Sequence, residues 1–344
     1  MTRPSTQLPI WLRRGPRTYA GIRPSQAPVA YHRTLPGYAP TPLVEVPAGP
    51  GTGRVLVKDE SHRFDLGAFK LLGASWACER ALEGRTDVVL VTATDGNHGR
   101  AVARSARLRG LAARVYMPPS ADVVVRRIEA EGATLVHVDG SYDDAVAAAA
   151  AYAEKDAAAV LVQDTAWEGY EEIPGWIVEG YETLFVELDR QLEDQLGTAP
   201  DLVAVPVGVG SLAQAAVAHY ESTRTRLLAV EPDTAACLLR SLEAGGPVRV
   251  GTPGTIMNGL NCGTVSSLAW PLLRDGLDAA VAVTDDQTRA AMDELGAAGV
   301  GSGPSGAAAY AGLRAVLADD AAREAMGLGE TSVVVALSTE GPLS

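Results

Sequence analysis

An α/β fold of two lobes, each a mainly parallel sheet flanked by helices, is what the 344-residue chain predicts. Strand-length apolar runs alternate with helix-period segments from residue 54 to the end, and that alternation implies right-handed crossovers in parallel sheets. The turns after the strands are polar or glycine-rich. The chain also exceeds the roughly 250–300 residues that one hydrophobic core usually supports.

Residues 1–50 carry many prolines and read as an extended arm around a body formed later. Residues 54–58 alternate as a strand, and 68–83 follow with helical spacing, which puts Lys70 at a helix start. Then come strand 87–93, a polar turn, helix 100–109, strand 114–117, helix 122–131, strand 134–138, helix 142–155 and strand 159–162. A second series opens with one long helix, 173–195, followed by strand 201–207, the loop 208–211, helix 212–222 and strand 227–230. Helices 234–243, 284–297 and 305–318 precede a last strand, 332–337. The first series sets out a small domain over 76–171, with 1–75 and 172–344 making a discontinuous large one. No repeat or low-complexity linker separates them, so a broad shared interface is expected.

Composition bounds the function. Asp and Glu outnumber Lys and Arg by 42 to 29, a net charge of −13. Such a surface repels polyanions, which argues against nucleic acid as a partner. Cys78, Cys237 and Cys262 lack the paired spacing of a disulfide framework or a zinc site, which points to free thiols in a reducing cytoplasm and to no metal centre. Residues 1–23 hold five arginines without the apolar core of a secretory leader. The apolar run at 145–153 is too short to cross a membrane.

Lys70 stands in the small-residue run GAFKLLG, where a poorly solvated ammonium favours the neutral, nucleophilic amine. Taken alone, it reads first as a lysine snorkelling from an amphipathic helix. Gly208, Gly210 and Ala213 fit a GxGxxA loop between strand and helix, with Glu231 ending the next strand. That pattern suits either an NAD-dependent oxidoreductase or a cup for a single phosphate built from backbone amides, and its late place in the chain favours the cup. A side chain introduced at Gly210 should then block phosphate while leaving the fold intact. Asp95, Asn97 and His98 share one strand-end turn, whose spacing also fits an Asx-turn with a helix N-cap. Asp164 follows a strand as a lone acid commonly does when it caps a helix. His62, His137 and His219 read as surface or satisfied core residues.

Together these features suit pyridoxal 5′-phosphate. Lys70 would hold its aldehyde as a Schiff base, while the amides of Gly208, Val209, Gly210, Ser211 and Leu212 take the phosphate. Asn97 would meet the ring hydroxyl oxygen and Ser338 the ring nitrogen. A hydroxyl at that nitrogen leaves it unprotonated and suits elimination.

The blocks KDESHRF at 58–64, GAFKLLG at 67–73, TDGNHGR at 94–100, QDTAWEGY at 163–170, VGVGS at 207–211, TIMNGLNCG at 255–263 and LSTEG at 337–341 carry a resemblance. The chain resembles the tryptophan synthase β-like, second fold type of pyridoxal-phosphate enzymes, and within it the diaminopropionate ammonia-lyase family. That resemblance implies α,β-elimination from 2,3-diaminopropionate to pyruvate and ammonia, on both D and L isomers. It implies Lys70, Asp95 and Asp164 as catalytic residues, with Asp95, Asp164 and Thr165 at the substrate, in a cytoplasmic homodimer. The nearest alternatives are a serine or threonine dehydratase and a β-replacement synthase. Gly67 and Pro304 stand where that family commonly has Asn and Glu.

Overall fold

The computed structural model describes residues 10–18, 25–49, 53–94 and 96–342. In chain order it has β1 (Ile10–Leu12), α1 (Ala27–His32), β2 (Leu43–Val46), β3 (Arg54–Asp59), α2 (Lys70–Leu82), β4 (Val89–Ala93), α3 (Asn97–Leu108), β5 (Ala112–Met117) and α4 (Asp122–Glu129). There follow β6 (Thr134–His137), α5 (Tyr142–Lys155), β7 (Ala159–Leu161), α6 (Glu172–Gly180), α7 (Glu182–Leu196), β8 (Leu202–Pro206), α8 (Ser211–His219), β9 (Arg226–Pro232) and α9 (Cys237–Ala244). The chain ends with α10 (Trp270–Gly276), β10 (Ala279–Val283), α11 (Asp285–Ala297), α12 (Pro304–Ala318), α13 (Asp320–Ala325) and β11 (Val333–Ser338).

The strands form two sheets, ordered β1-β10-β9-β8-β11-β3-β2 and β6-β5-β4-β7. The smaller sheet is wholly parallel. In the larger one, five parallel strands are flanked by β1 and β2, both antiparallel. β8, β10 and β11 are buried at every position. This follows from helices covering both faces, and it is why these strands read as continuous apolar runs.

Two expectations need correction. Residues 1–50 are more than an extended arm: β1 pairs with β10, α1 is helical and β2 pairs with β3. Three- and four-residue strands are too short to show a period in a proline-rich setting. The long helix at 173–195 is two helices, α6 and α7. Between them the Tyr181 amide donates to Val178 O, one residue short of a helical bond, at 3.1 Å. A Cβ at Gly73 would lie 2.6 Å from the Tyr181 ring, so α2 runs against this joint at a distance only glycine permits. Apolar spacing continues through such a joint and conceals it.

Elsewhere local chemistry fixes the ends as the sequence suggests. Ser141 and Asp144 close a capping box on α5, and Thr284 and Gln287 close one on α11. The parallel strands β4, β7, β8 and β11 deliver residues 94–98, 163–165, 208–211 and 338–341 from their carboxyl ends, where ligands of such sheets bind.

Candidate active site

Lys70 opens α2, and its position depends on β11. Residues 67–69 lie beside 339–341, with the Phe69 amide donating to Thr339 O at 3.2 Å and the Gly341 amide to Gly67 O at 2.8 Å. From there Lys70 Nζ donates to Asp164 Oδ2 at 2.7 Å, across to the end of β7. Burial alone would lower the lysine pKa. The Asp164 carboxylate outweighs it and holds the ammonium well above the ordinary lysine range. Asp164 is correspondingly held well below the usual carboxylate range: burial would raise it, but the Lys70 ammonium and its hydrogen bond overcome that. The neutral amine expected from a small-residue run is therefore not the state of the free chain. Desolvation was correctly anticipated, but a counter-ion 94 positions away decides the outcome.

His98 lies beneath this pair. Its Nε2 is 2.9 Å from Val162 O, which only accepts, so that nitrogen carries the proton. Nδ1 is then a bare acceptor, buried without a hydrogen-bond partner among the described residues and 3.7 Å from Asp164 Oδ2. Burial lowers the imidazole pKa and keeps the ring neutral. Tyr181 is fully buried nearby, its phenol pushed up to about 12 by burial while the Lys70 charge pulls the other way.

The glycine loop reaches the same place. The Ser211 hydroxyl donates to Asp164 O at 3.3 Å, so the start of α8 and the lysine touch one residue from opposite sides. A Cβ at Gly208 would stand 3.0 Å from Gly259 O and 3.1 Å from Cys262 Sγ. Gly210 has φ +102°, and a Cβ there would meet Leu273 Cδ1 at 2.7 Å. Gly210 is thus demanded by backbone and packing as well as by any ligand, which corrects the expectation that a side chain there would spare the fold. The bare loop and the first-turn amides of α8, which have no acceptor within the helix, suit a phosphate. Glu231 removes the rival reading: its carboxylate accepts from the amides of Leu238 and Leu239 at 2.8 and 2.7 Å, fully buried, and offers nothing to a ribose.

The remaining predicted residues divide. Ser338 ends β11, buried, with its hydroxyl 2.8 Å from that of Ser302. Thr165 Oγ1 is buried with no hydrogen-bond partner among the described residues, in a groove lined also by Tyr142, Asp143 and Trp167. Asn97 is the first residue of α3, and its amide donates to Glu340 at 2.5 Å. Val209 accepts through its carbonyl from the Ser266 amide at 2.9 Å, and Leu212 is buried in the first turn of α8. Asp95 lies outside the described residues. His62 and His137 are exposed, while His219 is bound between Glu182 and Asp189.

Glu340, Ser302 and Tyr181 reach the site without having been singled out. Glu340 and its place in LSTEG were visible. A carboxylate after a buried strand was the available signal, and it was passed over for the serine two residues earlier. The site has a lysine with a fixed counter-ion, orphaned acceptors at His98 and Thr165, and a glycine cradle. Those groups fit a phosphate-bearing carbonyl cofactor and a small polar substrate.

Comparison with known proteins shows the family and the fold. A family model described as pyridoxal-phosphate-dependent enzyme matches residues 34–340. Diaminopropionate ammonia-lyase from Salmonella typhimurium is 38% identical, over 75% of this chain and 72% of that protein. The Escherichia coli protein of the same name is 36% identical, over 92% and 88%. The crystal structure of the Escherichia coli diaminopropionate ammonia-lyase, in complex with an aminoacrylate-PLP azomethine reaction intermediate, superposes with a TM-score of 0.88. It covers 98% of this chain and 95% of that one at 33% identity.

Proposed function

This chain belongs to the diaminopropionate ammonia-lyases among the pyridoxal-phosphate-dependent enzymes, and from that premise we propose that it eliminates ammonia from 2,3-diaminopropionate, giving with one water pyruvate and two ammonia molecules. The observation that carries the reading is the Lys70–Asp164 contact of 2.7 Å. A substrate with two ammonium groups needs a carboxylate beside the reactive lysine, and Asp164, kept ionised by its surroundings, supplies one. A serine or threonine dehydratase has no such second ammonium to receive.

Pyridoxal phosphate, when bound, supplies an electron sink that makes the α-proton of an amino acid removable. The protein's own residues do the rest. In this reading residues 1–75 and 172–344 form the cofactor-binding domain and 76–171 the small one. The amides from Gly208 to Leu212 would hold the phosphate, Ser338 would lie toward the ring nitrogen and Lys70 would attach the carbonyl carbon.

Lys70 would serve as the base for the α-proton, with Asp164 steadying its protonated form. The same carboxylate pairs with the β-ammonium, which leaves as ammonia when the electrons of its carbon–nitrogen bond pass to nitrogen. The acceptor nitrogen of His98 lies behind Asp164 to hold a proton in transit. Thr165 offers its hydroxyl to the substrate, and Asp95 serves as a second base.

The test is pyruvate release from diaminopropionate, serine, threonine and O-acetylserine by one preparation. A preference of at least ~100-fold for diaminopropionate is expected. Equal or better rates on a hydroxy amino acid would point to a dehydratase. Diversion of the product into a new amino acid by added sulfide would point to a β-replacement synthase.

A further inference from the structure

Glu340 ties together three elements at the site. Its backbone bridges to Ala68, two residues before Lys70, and its carbonyl accepts from the Gly303 amide at 2.9 Å. Its side chain spans a gap: Oε1 accepts from the Ser305 amide in the first turn of α12 at 3.1 Å, and Oε2 accepts from Asn97 Nδ2 at the start of α3 at 2.5 Å. The housing is close-fitted. A Cβ at Gly306 would lie 2.7 Å from Glu340 O, and one at Gly303 would lie 3.1 Å from Glu340 Cγ. Such approaches require glycine and hold the glutamate in one place.

Both partners are N–H donors, and only a carboxylate offers both an acceptor oxygen. A carboxamide has a nitrogen end and an oxygen end, and with Nδ2 committed to Glu340 the Asn97 side chain has one orientation. The geometry points to Glu340 as a positioning residue that fixes which end of the Asn97 amide is presented to the cofactor's ring oxygen. This inference rests on the reading of Asn97 as a cofactor contact. Burial raises the Glu340 pKa, the Ser305 and Asn97 hydrogen bonds oppose that rise, and Arg127 adds a smaller favourable field. Glutamine, of the same length, would keep the Ser305 bond but set NH₂ against NH₂ at Asn97, forcing the amide to turn.

The test is a double-mutant cycle on holoenzyme of the full chain with Glu340→Gln, Asn97→Ala and both together. Readouts are the visible absorption band of bound pyridoxal phosphate, its apparent Kd by titration, and kcat and KM. Glu340→Gln is expected to shift the band and raise the Kd about 10-fold. Asn97→Ala should do the same, and the double variant should be no worse than Asn97→Ala alone. A band and Kd unchanged in Glu340→Gln overturn the inference. So do losses that multiply in the double variant, since they make Glu340 only a cap of α12. Should Glu340→Gln not fold, Glu340→Asp, with the charge at shorter reach, carries the same comparison. Failure of the underlying reading looks different: the unsubstituted enzyme would show no cofactor band, or Asn97→Ala alone would leave the band unchanged.

Discussion

Lys70 Nζ and Asp164 Oδ2, 2.7 Å apart, form an ion pair between the start of α2 and the end of β7, and the pair sets the protonation of both groups. Each is shifted toward its charged form despite burial. The sign for stability follows from each shift. The depressed Asp164 contributes stability that is present above the ordinary carboxylate pKa and lost as the pH falls through its lowered value. The raised Lys70 contributes stability that is present below the ordinary lysine pKa and lost only as the pH rises past its raised value. Between these limits the cofactor-free pair is fully formed.

Replacing Asp164 with Asn removes the charge and leaves Lys70 with burial alone. The lysine pKa should fall. The lowest pH at which pyridoxal phosphate becomes reducibly attached to Lys70 by borohydride should fall with it, as followed by peptide mapping. Activity on diaminopropionate should drop by at least ~100-fold, because the partner of the β-ammonium is gone. An unchanged pH onset of labelling would mean that Asp164 does not control Lys70.

The glycine loop gives a pair of substitutions with different signatures. Gly210→Asp forces a side chain into a φ of +102° and against Leu273, so the cofactor-free protein should unfold at lower temperature. Ser211→Ala removes only a hydroxyl bonded to Asp164 O. It should weaken pyridoxal phosphate binding by roughly 2- to 10-fold, with little change in the melting temperature of the cofactor-free form. Calorimetry alongside a cofactor titration separates the two, and a Gly210→Asp protein of normal stability would contradict the packing described here.

Much of this fold was legible because parallel strands buried on both faces are uninterrupted apolar runs, as at β8 and β11, and because capping residues such as Ser141 mark their helices. What escaped was short or non-local. β1 has three residues and exists by pairing with β10, some 270 positions on. At the site, Lys70, Asp164 and the glycine loop stand out by type and neighbours. The contact between Asn97 and Glu340 spans 243 positions and leaves no periodic trace. The protonation of Lys70 was misread for the same reason: local composition reports desolvation, and only tertiary structure reports the counter-ion.

His219 offers a test away from the site. Its Nδ1 lies 2.8 Å from Glu182 Oε1 and its Nε2 2.8 Å from Asp189 Oδ2, on a largely buried ring. Burial would lower its pKa, but the two carboxylates raise it to about 9 from an ordinary 6.5. The stabilisation is therefore complete below about pH 6.5 and lost as the pH rises through about 9. His219→Gln should be less stable than the parent by roughly 2–3 kcal/mol at pH 6, and the gap should close by about pH 10. Urea unfolding at the two pH values measures it, with titrations common to both proteins cancelling. A gap that persists at high pH would assign the loss to packing against Phe185 and Tyr220 instead.

The last prediction uses stereochemistry to separate the two proposed acids. A base removes a proton only from the face of the planar cofactor adduct on which it stands, and Lys70 occupies one face. With Asp95 as the base on the other, the α-proton of the L isomer is directed to Lys70 and that of the D isomer to Asp95, so one site handles both. The Thr94 hydroxyl accepts from the Gly96 and Gly99 amides at 2.9 and 3.0 Å, bonds that use no side chain at 95. Asp95→Asn is expected to reduce D-isomer turnover by ~100-fold or more while L-isomer turnover falls far less, the smaller loss reflecting weaker pairing with a substrate ammonium. Asp164→Asn should depress both isomers alike, because the β-amino group it serves is common to them. Initial rates of pyruvate formation from each enantiomer decide it. Equal losses for Asp95→Asn, or an unsubstituted enzyme inert toward the D isomer, would leave Lys70 as the sole base and Asp95 as a binding residue.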